Sequence, residues 1–189
     1  PEEFKTKYNI ALAVAAPVLA LASNSPMLFG KRLWNETRIA LFQQSVDTRR
    51  ASEHFRDRSP RVTFGNEWVK HGVMDLYRED IVRYRPMLMP DQYVDVMEQL
   101  DQGITPKLNS LMTHNSTVYR WNRACYGVSP NGRPHLRIEN RILPAGPSVT
   151  DEVANAAFWL GLIEGYAQEY GDITRMMSFD DANSNFINA

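Results

Sequence analysis

The chain has 189 residues, which fits one domain, and its 43% hydrophobic and 23% charged residues are ordinary for a soluble globular protein. The formal net charge is −1, so the overall charge does not indicate a nucleic acid or an anionic membrane as a partner. The longest apolar run, residues 10–22, is too short to span a bilayer and contains Pro17. Cys125 is the only cysteine, which excludes an internal disulfide and favours a reducing, cytoplasmic location.

The first half of the chain predicts mainly helices. Residues 3–22 predict a buried helix that is kinked at Pro17, and the turn-forming sequence SNSP at 23–26 predicts its end. Residues 56–65 predict a loop with room for a brief strand. Apolar spacing and helix-breaking residues predict three more helices, which cover residues 36–50, 66–84 and, with interruptions at Gly103 and Pro106, 89–114.

The second half begins with a change in composition. Residues 116–127 and 135–143 are strand-like, and the turn-rich sequence VSPNGRP between them predicts a β-hairpin. A helix is predicted to follow, with Ser148 or Thr150 as its cap and Gly171 as its end. Helices around a hairpin, without alternation of parallel strands and helices, predict an α+β fold with an antiparallel sheet packed by helices.

The second strand carries an unusual row of charges. Side chains alternate between the two faces of a strand, so Arg137, Glu139 and Arg141 share one face. On the first strand, Arg120 and Arg123 are three residues apart, so at least one of them can lie beside Glu139. The opposite face of the second strand is expected to pack against helices, and its apolar residues are Leu136, Ile138 and Ile142.

Two interpretations of this charged face remain open. A lattice of surface ion pairs is the commoner explanation for a charged hairpin, and each such pair contributes little to stability. The alternative is a site for anions and a metal ion. Guanidinium groups bind phosphate and carboxylate through paired hydrogen bonds, and a glutamate among them can bind Mg²⁺. That chemistry fits ATP-dependent phosphoryl transfer.

The sequence LRIENRILPAGPSVTDEVANAAFWLGLIEGY resembles a strand-plus-helix signature of the glutamine synthetase superfamily, in which an Arg-x-Glu-x-Arg strand precedes a helix rich in small residues. Within that superfamily, ASNSP, LWNETRIALFQQSVDTR and RIENRILPAG are similar to bacterial and plant-type glutamate–cysteine ligases and related carboxylate–amine ligases. The resemblance covers residues 8–50 and 113–170. Residues 51–112 match no part of it and are expected to form a helical insertion.

The resemblance implies an ATP-dependent ligase that uses Mg²⁺, and it implies roles for individual residues. Glu139 resembles the glutamate that binds Mg²⁺. Three catalytic arginines are implied: Arg141 at the substrate carboxyl and its phosphorylated form, with Arg120 and Arg123 near the nucleotide phosphates. The implied substrate-binding residues include Arg32 or Arg38 for the α-carboxylate of glutamate, and the set is Arg32, Arg38, Asn24, Ser25 and Arg137.

One departure from the superfamily affects the expected activity. Its first catalytic strands, with further metal-binding glutamates, have no counterpart here and would precede Pro1. Residues 1–189 are therefore expected to be one domain, the C-terminal portion of the catalytic domain, and to be inactive alone. The expected substrates are glutamate and cysteine or another amine. Two alternatives remain open: another carboxylate–amine ligase, and a non-catalytic homologue that senses an amino acid or nucleotide. Homo-oligomer formation also stays open.

Overall fold

The computed structural model describes residues 2–47, 49, 60–90 and 94–189. Helices surround small two-stranded sheets, which confirms the predicted α+β class. The helices are α1 (Glu2–Ala13), α2 (Ala15–Ala22), α3 (Thr37–Ser45), α4 (Val73–Arg83), α5 (Val96–Asp101), α6 (Asn109–Ser116), α7 (Val149–Glu169) and α8 (Phe179–Asn188). The strands are β1 (Met27–Leu28), β2 (Lys31–Arg32), β3 (Val62–Thr63), β4 (Tyr119–Arg120), β5 (Asn122–Val128) and β6 (Pro134–Asn140).

The predicted hairpin is present, and it is shorter than the sequence indicated. β5 and β6 pair antiparallel from Asn122 opposite Asn140 to Val128 opposite Pro134. Residues 116–121 do not belong to it, because α6 extends to residue 116 and β4 pairs in parallel with β3 instead. The chain therefore changes strand partners at Trp121, whose N–H donates to Thr63 and whose carbonyl accepts from the N–H of Arg141.

The predicted first helix is divided, and the division falls before the proline. α1 ends at Ala13 and α2 starts at Ala15. Pro17 has no N–H to donate to the carbonyl of Ala13, and its ring clashes with a carbonyl four residues earlier, so the distortion appears there rather than at Pro17. The SNSP sequence ends α2 as predicted, with Ser23 in an extended conformation.

Helix boundaries elsewhere follow local chemistry more closely than apolar spacing. The helix predicted over 66–84 begins only at Val73, because Gly72 adopts a φ of 150° that a helix does not contain. The segment 89–114 holds α5 and α6, separated around Gly103 and Pro106 as predicted; residues 91–93 lie outside the described part. The helix predicted over 36–50 is α3; residues 48 and 50, and also 51–59, lie outside that part.

The core forms where α1 and α2 meet the strands. Tyr8 and Leu12 of α1 pack in one cluster with Trp121, Ile142 and the aromatic residues of α8. Ile163 of α7 packs against the other side of α1. The sequence analysis assigned no element to the polar stretch that forms α8, where Ser178 accepts a hydrogen bond from Asp181 N and Phe186 is 2% exposed. None of the helices in the described ranges is long and apolar enough to cross a membrane.

A buried ion pair joins β4 to α4. The Arg120 guanidinium donates three hydrogen bonds of 2.7–3.2 Å to Asp80 and one of 2.9 Å to Glu79. The side chains of Arg120 and Asp80 are 3% and 4% exposed. The described part of residues 51–112 is thus attached to the core, and Val62, Phe64 and Leu76 pack within that core.

We expect Asp80→Asn to destabilise the protein by about 3 kcal/mol, because the Arg120 charge would lose its buried partner. The melting temperature should fall by roughly 6–12 °C for a chain of this size. Glu67→Gln, which removes the exposed ion pair with Lys70, is the matched control and should leave the melting temperature unchanged. Equal melting curves for Asp80→Asn and the control would contradict this assignment.

Candidate active site

Three predicted site residues meet on one face of the hairpin. The register places Arg123 directly opposite Glu139, and Arg123 Nε and Nη2 lie 2.8 and 2.5 Å from Glu139 Oε2. Arg141 Nε donates to Glu139 Oε1 at 3.1 Å. We call Arg123, Glu139 and Arg141 the Arg–Glu–Arg cluster. Two guanidinium cations around one carboxylate leave a net positive charge, which suits an anionic ligand.

Neighbouring elements hold both arginines in position. Arg123 Nη1 also donates to the carbonyl of Asn115 at the end of α6, and Asn115 Nδ2 donates back to the β5 backbone at Ala124. The Arg141 guanidinium lies over the Tyr119 ring, 5.7 Å from its centroid. The side chains of Arg123 and Arg141 remain 17% and 21% exposed, so both groups are partly accessible to a ligand.

Two residues that the sequence analysis did not assign to the site lie beside the cluster. Cys125 Sγ is 3.4 Å from Glu139 Oε2, and burial raises the pKa of this thiol, with the Glu139 carboxylate acting in the same direction. Burial also raises the pKa of Tyr77 on α4 to about 12, with a further contribution from Cys125. Both groups are therefore protonated at neutral pH.

Arg120, the third predicted catalytic arginine, lies away from the cluster. It precedes the change of strand partners at Trp121, and its guanidinium points to Asp80 and Glu79 of α4. Its Nε and Nη2 are already bonded to carboxylates in the interior. Local sequence pattern carried no signal for this partner, because Asp80 lies 40 residues before Arg120, in a segment to which the sequence analysis assigned no site residue.

Asn24, Ser25 and Arg38 are brought next to the cluster through the backbone that follows β6. Arg38 Nη2 donates to the carbonyls of Arg141 and Ile142, at 3.1 and 2.5 Å. Asn24 Nδ2 donates to the carbonyl of Ala145 at 2.7 Å. The centre of this arrangement is Glu36, a 3% exposed carboxylate that the sequence analysis did not assign to the site.

Glu36 connects these three residues. It accepts hydrogen bonds from the Ser25 hydroxyl and from Asn24 N, and its Oε1 lies 3.9 Å from Arg38 Nε. We call Asn24, Ser25, Glu36 and Arg38 the Glu36 clamp. Local sequence gives no hint of it, since a buried Glu in the sequence NETR looks like any other acidic residue at a helix start.

The remaining two predicted residues are exposed. Arg137 lies on the same strand face as Glu139, opposite Cys125, with Nη1 3.3 Å from His135 Nε2. Arg32 lies on β2, in an exposed hairpin where it pairs with Met27. The cluster is thus flanked on its strand by a further cation, whereas Arg32 belongs to a separate element.

The cluster suits phosphate better than it suits a metal ion. Within the described ranges, no three histidine, cysteine or acidic side chains converge as a metal site would require. Both oxygens of Glu139 already accept hydrogen bonds from arginines. These residues therefore supply at most one metal ligand and do not form a Mg²⁺ site by themselves.

The chain matches the family model of glutamate–cysteine ligase family 2 over residues 1–186, and it therefore belongs to that family. No curated protein and no solved structure matches it significantly. Membership points to a ligase-type enzyme that acts on small-molecule substrates, in agreement with the resemblance carried by the hairpin and the helix after it.

The cluster predicts a specific pH dependence of stability. Burial acts to raise the pKa of Glu139, but hydrogen bonds from Arg123 and Arg141 outweigh it and hold the pKa below the ordinary value of 4.5. A carboxylate whose pKa is lowered by folding stabilises the protein above its unfolded pKa, and this contribution is lost as the pH falls through the folded pKa.

We therefore expect the difference in unfolding free energy between the wild type and Glu139→Gln to be constant from pH 7 to about pH 5 and to shrink below pH 4.5. Urea unfolding of both proteins at several pH values measures this difference in unfolding free energy. A difference that stays constant down to pH 3 would show that Glu139 is not held in its ionised form by the two arginines.

Proposed function

We propose that this protein is part of an ATP- and Mg²⁺-dependent carboxylate–amine ligase that joins glutamate to cysteine and forms γ-glutamylcysteine. Family membership supports the type of reaction, and the Arg–Glu–Arg cluster is the observation that carries the location of the site. We place the chain in a glutamine synthetase-like catalytic domain, as its C-terminal portion, and the enzyme in the cytoplasm.

The reaction has two steps. An oxygen of the glutamate γ-carboxylate attacks the terminal phosphorus of ATP, so that ADP leaves and an acyl phosphate forms. The cysteine amine then attacks the acyl carbon, loses a proton, and expels inorganic phosphate. Both steps place negative charge on phosphate oxygens, and preorganised cations in a partly desolvated site stabilise such charge.

In this proposal, Arg123 and Arg141 bind the phosphoryl and carboxylate oxygens, while Glu139 keeps the two guanidinium groups at a fixed separation. Mg²⁺, when bound, would offset charge on the nucleotide phosphates. Glu139 would supply one ligand, and residues outside the described cluster would supply the others. Arg120 does not fit direct phosphate binding as well as Arg123 does, because Asp80 and Glu79 already engage it.

The direct assay measures inorganic phosphate and γ-glutamylcysteine together, in the intact protein with ATP, Mg²⁺, glutamate and cysteine. The proposal expects equal amounts of both products and dependence on both amino acids. Replacing cysteine by other amines tests the alternative that the protein is a different carboxylate–amine ligase. Saturable binding of glutamate or ATP with no phosphate release would instead favour the non-catalytic sensor.

We expect Glu139→Gln to lower turnover in the intact enzyme by about 100-fold or more and to raise the Mg²⁺ concentration it requires. Stability at neutral pH should change by only about 1 kcal/mol or less, because the ion pairs are partly exposed. Glu169→Gln, at an exposed position near the end of α7, is the control and should retain full turnover. Normal turnover with a lower melting temperature would show that Glu139 has only a structural role.

A further inference from the structure

The segment that contains Arg141 lies beyond the end of the β-ladder. β6 ends at Asn140, so the backbone of residues 141–145 has left the pairing with β5. Arg141 N donates to Trp121, and the amides of Ile142 and Leu143 donate to the Asn140 side chain. Apart from the bond between Arg141 N and Trp121, side chains rather than cross-strand pairing provide the hydrogen bonds to the backbone of this segment.

The Glu36 clamp reaches this segment with two donors. Arg38 Nη2 bonds the carbonyls of Arg141 and Ile142, and Asn24 Nδ2 bonds that of Ala145. The Arg38 guanidinium also lies over the Trp121 ring, 5.9 Å from its centroid, beside the backbone that receives Arg141 N. Arg38 Nη2 is therefore occupied by two backbone carbonyls of the protein itself.

The burial of Glu36 explains why the clamp forms one unit. A carboxylate that is 3% exposed is costly unless hydrogen bonds and a nearby cation compensate it. The Ser25 hydroxyl, Asn24 N and the Arg38 guanidinium provide this compensation. Glu36 thereby fixes the positions of both donors, and Thr37 N, which donates to Ser25 at 3.0 Å, attaches α3 to the same turn.

We propose that Glu36 and Arg38 are positioning residues that set the place of Arg141 relative to Glu139. This assigns Arg38 a role different from gripping the α-carboxylate of glutamate, and it assigns a role to Glu36. The inference rests on the proposed function for the reaction it affects, but its structural part, control of residues 141–145, does not.

Hydrogen exchange tests the structural part without any activity. In Arg38→Met, which keeps an apolar stem against Trp121, we expect the N–H groups of residues 141–143, 145 and 146 to exchange about 10-fold faster than in the wild type, or more. Asn24→Ala, at an exposed position, should have a smaller effect in the same segment. The amides of β5 should keep their wild-type rates in both variants. Unchanged exchange at 141–146 in both would overturn the proposal.

Kinetics separates positioning from substrate binding. In Arg38→Met, a misplaced Arg141 should lower kcat by about 10- to 100-fold while KM for glutamate stays within a few-fold. The conservative variant Arg38→Lys should lose less of its kcat than Arg38→Met. Arg175→Lys, an 85% exposed arginine, is the matched control and should match the wild type. A large increase in KM for glutamate with unchanged kcat would show that Arg38 binds the substrate.

A double-mutant cycle with Arg141→Lys completes the test. If Arg38 acts through Arg141, combining Arg38→Lys with Arg141→Lys should cost little more than Arg141→Lys alone. Independent, multiplying losses would overturn the positioning role. If the wild type proves inactive, the proposed function fails, whereas the exchange rates still decide whether the clamp controls residues 141–145.

Discussion

The pairing of Arg123 with Glu139 across the β5–β6 ladder is the constraint on which the site depends. The register is fixed by apolar side chains on the reverse face, where Leu136 and Ile138 pack against the core. A slip of one residue would move Glu139 to that apolar face and separate it from Arg123 on the partner strand. The same core packing that stabilises the hairpin thus determines which charges meet on its other side.

The end of β6 imposes a second constraint. Arg141 reaches Glu139 only if the chain after Asn140 continues along the strand direction for a few residues, although the partner strand has changed course at Trp121. Side chains from the first turn and from α3 support the chain there. Elements more than 100 residues apart in the sequence therefore meet at one point of the site.

The sequence predicted those features that arise from local pattern. Alternation along residues 135–141 was sufficient to place Arg137 and Glu139 on one face, and turn residues located the hairpin loop. Alternation did not distinguish Arg120 from Arg123, because the choice depends on the break at Trp121 and on Asp80, which lies 40 residues earlier. Likewise, Glu36 acquires its role through burial against Ser25 and Arg38, and burial of a single acid leaves no periodic signal.

The central claim is that the Arg–Glu–Arg cluster binds the phosphate at which ligation occurs. A crystal structure of the intact protein with Mg²⁺, glutamate and a non-hydrolysable ATP analogue tests it most directly. The account predicts that Arg123 and Arg141 donate hydrogen bonds of about 2.7–2.9 Å to the terminal phosphate or the γ-carboxylate, with Glu139 within about 2.1 Å of a Mg²⁺ ion. A nucleotide bound elsewhere, with the Arg–Glu–Arg cluster unchanged and solvated, would contradict this claim. The charged face of the hairpin would then be a lattice of surface ion pairs.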